Sequence, residues 1–259
     1  MDSILTNIYD RNERLWGKTA QAELFKKHVV VFGLGGVGGY ATEALARSGV
    51  GNITIVDFDT VSETNINRQL IALIPNIGKP KTALFKERIS QINPHIKVTE
   101  INEFVSARII EKILDQKTDF VADAIDTLKS KIELIEICRK KDISVITSLG
   151  MGNRIKPEEL YLADISEIDT KKCVFAKNVV YQLKKRGIEK DIPAVASKEK
   201  PIKTEKRASV LTIRQADGEL AEITKFSPGS ASFVPPVAGY FMAAYIIRQL
   251  IKNFITLKE

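Results

Sequence analysis

Cysteine and histidine are scarce in this 259-residue chain, two of each, and tryptophan occurs once. Two thiols, Cys138 and Cys173, make neither a disulfide framework nor a four-thiolate zinc site. His28, before an apolar run, and His95, after Pro94, stand apart from every motif. A signal-like start is also missing, because Asp2, Asn7 and Asp10 interrupt the apolar run that export requires. The longest apolar stretch, near the end, runs for about 12 residues before Arg248, against roughly 20 for a bilayer span. Hydrophobic residues at 44% and charged residues at 27% are ordinary globular values and exclude collagen, coiled-coil and disordered classes. The expectation is a soluble, cytoplasmic protein without a transmembrane segment, folded as a single domain over 1–259.

Charge of one sign is lacking over most of the chain and concentrated in one place. The formal net charge is +7, yet residues 1–150 hold 20 basic and 19 acidic side chains. Residues 171–207 alone hold 12 basic and 4 acidic groups. A local excess of this size beside a near-neutral body suits a polyanion, whose released counterions favour phosphate contacts. The plain alternative is a solvated Lys-rich face. Lys171, Lys172, Lys184, Lys185, Arg186, Lys203, Lys206 and Arg207 are the candidate nucleic-acid contacts.

From 28 to 150, short Val- and Ile-rich runs alternate with amphipathic stretches, as a parallel sheet with crossover helices requires. Strands are expected at 28–33, 52–58, 97–102, 119–125 and 144–149, and helices at 37–47, 81–92 and 128–139. The fold class is therefore α/β: a doubly wound, Rossmann-like, mostly parallel sheet. After 150 the rhythm changes. Runs at 160–164, 209–214 and 219–226, the last two joined by Asp217-Gly218, predict antiparallel strands extending one sheet edge. The basic insert between them reads as a helix at about 172–186 followed by loop, since Pro193 and Pro201 oppose regular structure. A C-terminal helix, buried or at an interface, is expected after Pro236. Residues 10–150 would then form a nucleotide-binding core, and 151–259 a substrate-binding and dimerisation part.

The sequence G-L-G-G-V-G at 33–38 follows a strand and opens a helix. Without Cβ atoms the chain turns tightly, and a phosphate can approach the backbone N–H groups of the helix start. Gly33, Gly35, Gly36 and Gly38 are the candidate phosphate turn, and Asp57, at the end of the second strand, the candidate ribose acceptor. That much also describes a nicotinamide dehydrogenase. The next stretch argues otherwise: Asp57, Asp59, Asn65, Arg68 and Gln69, then Lys81, cluster an Asn, an Arg and a Lys where two stable phosphates need none. A triphosphate about to be split needs them, because Arg and Lys offset charge developing on departing pyrophosphate. Arg11 and Arg14 add further cations, and Asp123 and Asp126, near the end of the fourth strand, stand where a magnesium ion would bind.

These residues resemble the adenylating domain of the ubiquitin-activating-enzyme superfamily, over about 10–150: V-F-G-L-G-G-V-G ending at Gly38, D-F-D at 57–59, N-I-N-R-Q at 65–69, G-K-P-K ending at Lys81, and A-I-D ending at Asp126. The resemblance implies ATP as the nucleotide, Gly33, Gly35 and Gly38 along it, Asp57 on the ribose, Asn65, Arg68 and Lys81 on the phosphates, and Asp126 on Mg2+. It also implies a homodimer in which Arg14 reaches the partner's ATP. The superfamily's carrier-activating branch usually has two Cys-x-x-Cys pairs, and this chain has none. R-L-W-G at 14–17, A-L-A-R-S-G at 44–49, Q-I-N-P at 91–94, T-S-L-G-M-G at 147–152 and G-S-A-S-F-V-P at 229–235 are instead similar to the tRNA threonylcarbamoyladenosine dehydratases. Some relatives have a cysteine near the position of Ala194; this chain has Ala there, so a thiol intermediate at that spot is not available. That resemblance implies tRNA as a partner, leaves a sulfur-relay protein open as another, and implies ATP-dependent ring closure through an acyl-adenylate. Activation of the C-terminus of a ubiquitin-like sulfur carrier is the alternative, followed by a nicotinamide oxidoreductase and a non-catalytic ATP-binding scaffold.

Overall fold

The computed structural model describes residues 8–205, 208–214, 220–226 and 228–255, with side chains described outside 206–227. In chain order the elements are α1 (Asp10–Trp16), α2 (Lys18–Leu24), β1 (His28–Phe32), α3 (Gly38–Ser48), β2 (Asn52–Val56), α4 (Lys81–Ile92), β3 (Lys97–Ile101), α5 (Ala107–Ile113) and β4 (Phe120–Asp123). There follow α6 (Leu128–Lys140), β5 (Val145–Ser148), β6 (Leu160–Asp164), α7 (Val174–Lys184), β7 (Pro193–Ser197), β8 (Ala208–Arg214), β9 (Leu220–Phe226) and α8 (Val234–Ile251).

One sheet, ordered β3-β2-β1-β4-β5-β7-β6, organises the molecule. All neighbours pair in parallel except β6, which runs antiparallel to β7. The central Val- and Ile-rich runs become strands because helices cover both faces, so nearly all side chains of β1, β2, β4 and β5 leave water. Val29, Val31, Ile53 and Ile55 pack with α2, α3, α4 and α8 on one face. Val30, Phe32, Val56 and Val121 pack with α5, α6 and α7 on the other.

The five expected parallel strands and the helices at 38–48, 81–92 and 128–140 form as read. Three expectations change. Residues 193–197 are not loop but strand β7, because Pro193 is its first residue, where a missing N–H costs no ladder bond. β6 extends the sheet edge as expected, whereas β8 and β9 pair only with each other as a separate two-stranded sheet. Their connection, Asp217-Gly218, lies outside the described residues. Finally, α8 begins at Val234, before the prolines, since Pro235 and Pro236 occupy its first turn, where no intrahelical donor is required.

Among the described residues α8 is the one helix long and apolar enough to cross a membrane, but much of it is buried in the fold. It packs across α3: a Cβ on Gly239 would lie 2.3 Å from the Val37 carbonyl, so only glycine lets the two backbones approach this closely. Tyr40 meets Tyr240 edge-on at 5.8 Å beside this crossing.

Candidate nucleotide site

Strand order reverses around β1, which lies between β2 and β4, so the chain leaves these strands in opposite directions and opens a crevice at their carboxyl ends. Gly33 enters it with φ +88°, and a Cβ there would lie 2.8 Å from the Ala124 carbonyl. Gly38 sits closer still: its Cβ would fall 1.8 Å from the Gly33 carbonyl. The turn therefore closes upon itself, and α3 starts at Gly38 with no side chain capping its N-terminus.

Asp57, at the end of β2, ties the turn to the sheet. Its Oδ2 accepts the Leu34 N–H at 2.6 Å, and its Oδ1 accepts the Asp59 N–H at 2.8 Å. Burial pushes this carboxyl above the usual carboxylate range; Lys81 pulls it back, Asp59 adds to the rise, and the two backbone donors lower it. Because the folded value is raised, Asp57 favours the fold while protonated, and that contribution is lost as pH rises through the folded value. Nucleotide binding has the opposite sign, because only the carboxylate accepts hydroxyl donors at both oxygens. Affinity for ATP is therefore expected to fall on acidification at a pH above the ordinary Asp range, and this step is expected to vanish in Asp57→Asn. Titration calorimetry across pH 4–7.5 is the measurement; identical profiles would remove Asp57 from the site.

Lys81, the first residue of α4, is almost fully buried, and its Nζ lies 2.8 Å from Asp59 Oδ2. Asp59 thus holds Lys81 toward the crevice. Asn65 closes a capping box with Ser62 around the short turn Glu63–Asn65. The backbone N–H groups of Arg68 and Gln69 both donate to the Asn65 carbonyl. Arg68 is half-buried, with one terminal nitrogen donating to the Thr64 carbonyl and to Asn67 Oδ1. Burial lowers its pKa, and the nearby charge of Asp126 opposes that change. Its stem passes Gly36, and Gln69 lies over Gly35, the Nε2 atom 3.8 Å from where a Cβ would stand. Gln69 Oε1 is buried and has no hydrogen-bond partner. Such an acceptor calls for a donor, which a hydroxyl or an amino group entering the crevice would supply.

The turn 123–126 completes the crevice, and here one expectation is corrected. Asp123 does not face it as a second metal ligand: it is fully buried and paired with Lys131 Nζ at 2.7 Å. Asp126 follows at the crevice edge, facing Arg68 electrostatically. Arg14 is not brought to this site. It lies on α1, ion-paired to Asp10, and Asn12 of the same helix bonds Arg47 at the far end of α3. Lys171, Lys172, Lys184, Lys185 and Arg186 are exposed on and around α7, with Lys185 over the Tyr181 ring and Arg186 bonded to Glu136. Lys203 is exposed beyond β7, while Lys206 and Arg207 lie outside the described residues. Three contributors escaped the sequence reading. Lys131 pairs with Asp123, Asn67 donates to the Ser230 carbonyl, and Pro235 packs against Gly36. The N-I-N-R-Q run at 65–69 contains Asn67, and the G-S-A-S-F-V-P run at 229–235 contains Pro235. A cavity of about 220 Å³ opens at the opposite end of the sheet, beside Asp119, Ser144 and Tyr245, remote from the glycine turn.

A doubly wound sheet with a glycine turn, an acidic β2 end and an Asn-Arg-Gln turn at its switch point has the layout of a nucleotide crevice in an α/β protein, and the chain's sequence is matched by the ThiF family. The family's sequence model matches residues 9–254, and the chain belongs to it. Among its relatives is a tRNA threonylcarbamoyladenosine dehydratase of Bacillus subtilis, 40% identical over 247 residues, 95% of both chains. Another of that name, from Haemophilus influenzae, is 35% identical over 93% of this chain and 92% of its own. The fold matches the E. coli tRNA N6-threonylcarbamoyladenosine dehydratase in complex with AMP, with a TM-score of 0.84 and 30% identity over 97% of each chain. The same enzyme in complex with ATP gives a TM-score of 0.83 and 29% identity over 97% of each chain.

Proposed function

We propose that this chain uses ATP to dehydrate threonylcarbamoyladenosine in tRNA, closing a ring on the modified base. The observation that carries this reading is the convergence of Arg68, Lys81 and Asp126 on a glycine turn, in a chain similar to such enzymes along nearly its whole length. The orphaned Gln69 Oε1 and the Cβ-free cradle fit a nucleotide carrying hydroxyl donors.

The chemistry follows from the substrate's carboxylate, which is a poor electrophile because its leaving group would be oxide. One carboxylate oxygen attacks the α-phosphorus of ATP and the bond to pyrophosphate breaks, giving an acyl-adenylate. A nitrogen or oxygen of the same side chain then attacks the acyl carbon, loses its proton, and expels AMP with the original carboxylate oxygen. The net change on the tRNA is loss of one water. Gly33, Gly35, Gly36 and Gly38 let the phosphates meet backbone N–H groups, and Asp57 with Gln69 holds the sugar. Arg68 and Lys81 offset charge on the departing pyrophosphate, and Asn65 hydrogen-bonds the phosphates. Asp126 would hold Mg2+, which supplies further charge neutralisation on the phosphates; an ion bound mainly through phosphate needs only one or two carboxylates. Among the described residues no three His, Cys, Asp or Glu gather as a metal cluster. Arg14, remote from its own crevice, serves the ATP of a second copy in a homodimer, for which exposed Leu73, Ile74 and Ile77 beside the site offer apolar surface.

Mass spectrometry of tRNA nucleosides after incubation with protein and ATP is the direct test. The mass of one water must disappear from threonylcarbamoyladenosine, with AMP formed in equal amount; ATP turnover driven by a small carrier protein and not by tRNA would refute the reading. The molybdopterin-synthase adenylyltransferase of E. coli, an example of the alternative, aligns over only 51% of this chain.

The exposed cations of α7 serve the tRNA backbone in this reading. Replacing Lys171, Lys172, Lys184 and Lys185 with Gln is expected to flatten the dependence of log affinity on log salt by about 3 units, at roughly 0.7–0.9 per phosphate contact. Filter binding over a salt series reads it; an unchanged slope would place the tRNA elsewhere.

A further inference from the structure

Lys131 and Asp123 are both wholly shielded from solvent. Lys131 Nζ lies 2.7 Å from Asp123 Oδ2 and 2.9 Å from Thr147 Oγ1, and the Thr147 hydroxyl donates to the same carboxylate oxygen at 2.7 Å. A buried ion pair is at best a neutral exchange for apolar packing of the same volume, so stability alone does not explain it.

The other carboxylate oxygen does. Asp123 Oδ1 accepts the Ile125 N–H at 3.1 Å, two residues on. Between them the Ala124 N–H donates to the Phe32 carbonyl at 2.9 Å, and the Ala124 carbonyl fills the space beside Gly33. The turn 123–126 is thus gripped from α6 by Lys131, from β5 by Thr147 and from β1 by Phe32, and Asp126 is its last residue. Charge matters as well as position. With Asp123 neutralised inside the fold, the turn presents toward Arg68 the charge of Asp126 and not that of two carboxylates.

We infer that Lys131 is a positioning residue: through Asp123 it fixes the turn that sets Asp126 against the magnesium-bearing end of ATP. This rests on the proposed role of Asp126. Pre-set geometry of this kind lowers the cost of ordering at the moment of binding, and displacement by about 1 Å is enough to lose most of it.

Two full-length variants test it. Thr147→Val removes one hydrogen bond to Asp123 at nearly constant volume. The double variant Lys131→Met/Asp123→Asn removes both charges together, so no buried charge is stranded. ATP binding is measured by calorimetry with and without magnesium chloride, and folding by thermal unfolding. Affinity without magnesium is expected to stay within about twofold, because the glycine turn and Asp57 are untouched. The magnesium-dependent gain is expected to fall about tenfold in the double variant and about threefold in Thr147→Val. Lys131→Arg, which keeps the charge, is expected to retain more of the gain than the double variant. Folded variants that keep the full gain overturn the inference and leave the proposed reaction standing. A wild-type protein that gains nothing from magnesium overturns the role of Asp126 and this inference with it. If the double variant fails to fold, Thr147→Val decides.

Discussion

Arg68→Met is expected to slow ATP-driven formation of pyrophosphate about 10²–10³-fold, the usual consequence of losing one well-placed group that stabilises transition-state charge. Fold and ATP affinity should change little. The guanidinium is bonded only locally, to Thr64 and Asn67, and the methionine stem still covers Gly36. Arg68→Lys should recover only part of the rate, because a point charge replaces a planar fork. Rapid-quench measurement of pyrophosphate at saturating ATP and modified tRNA is the decisive experiment. A loss smaller than about threefold would take Arg68 out of the reaction and leave it a helper of the 64–67 turn.

Gly38→Ala should act earlier, on binding itself. The added Cβ would fall 1.8 Å from the Gly33 carbonyl and 3.0 Å from Ala124 Cβ. No flexible side chain is available to yield there, so the turn must open. Overpacking of this kind costs about 1–3 kcal/mol or more, which for a chain of this size lowers the unfolding temperature by roughly 3–10 °C. The ATP site should be lost with it, because the turn that opens is the one facing the phosphates. Calorimetry showing ATP affinity within about threefold of the unaltered protein would mean that the nucleotide lies away from this turn.

The parts legible in the sequence were those whose physics is local. β1, β2, β4 and β5 announced themselves because strands buried on both faces need unbroken runs such as Val29-Val30-Val31. The glycine turn, Asp57, Arg68 and Lys81 were visible because each sits at a fixed step from a strand or helix end. What stayed hidden depended on contacts distant in sequence. β7 was disguised by Pro193 and by its charged flanks, and only pairing with β5 and β6 shows why the proline is tolerated. Lys131 drew no reading and the burial of Asp123 went unseen, since nothing nearby reveals that Thr147 and α6 seal them from water. Asp123 was accordingly taken for a metal ligand when its charge is already matched.

The crossing of α8 over α3 bears on synthesis. Pro235 backs Gly36, and Gly239 rests on the Val37 carbonyl, about two hundred residues downstream of the turn they support. A growing chain on the ribosome has its phosphate loop long before it has the wall behind it. Closing so long a loop is slow, so competence to hold a nucleotide should arise only after α8 has emerged, and chains that stop short of α8 should leave cellular ATP alone.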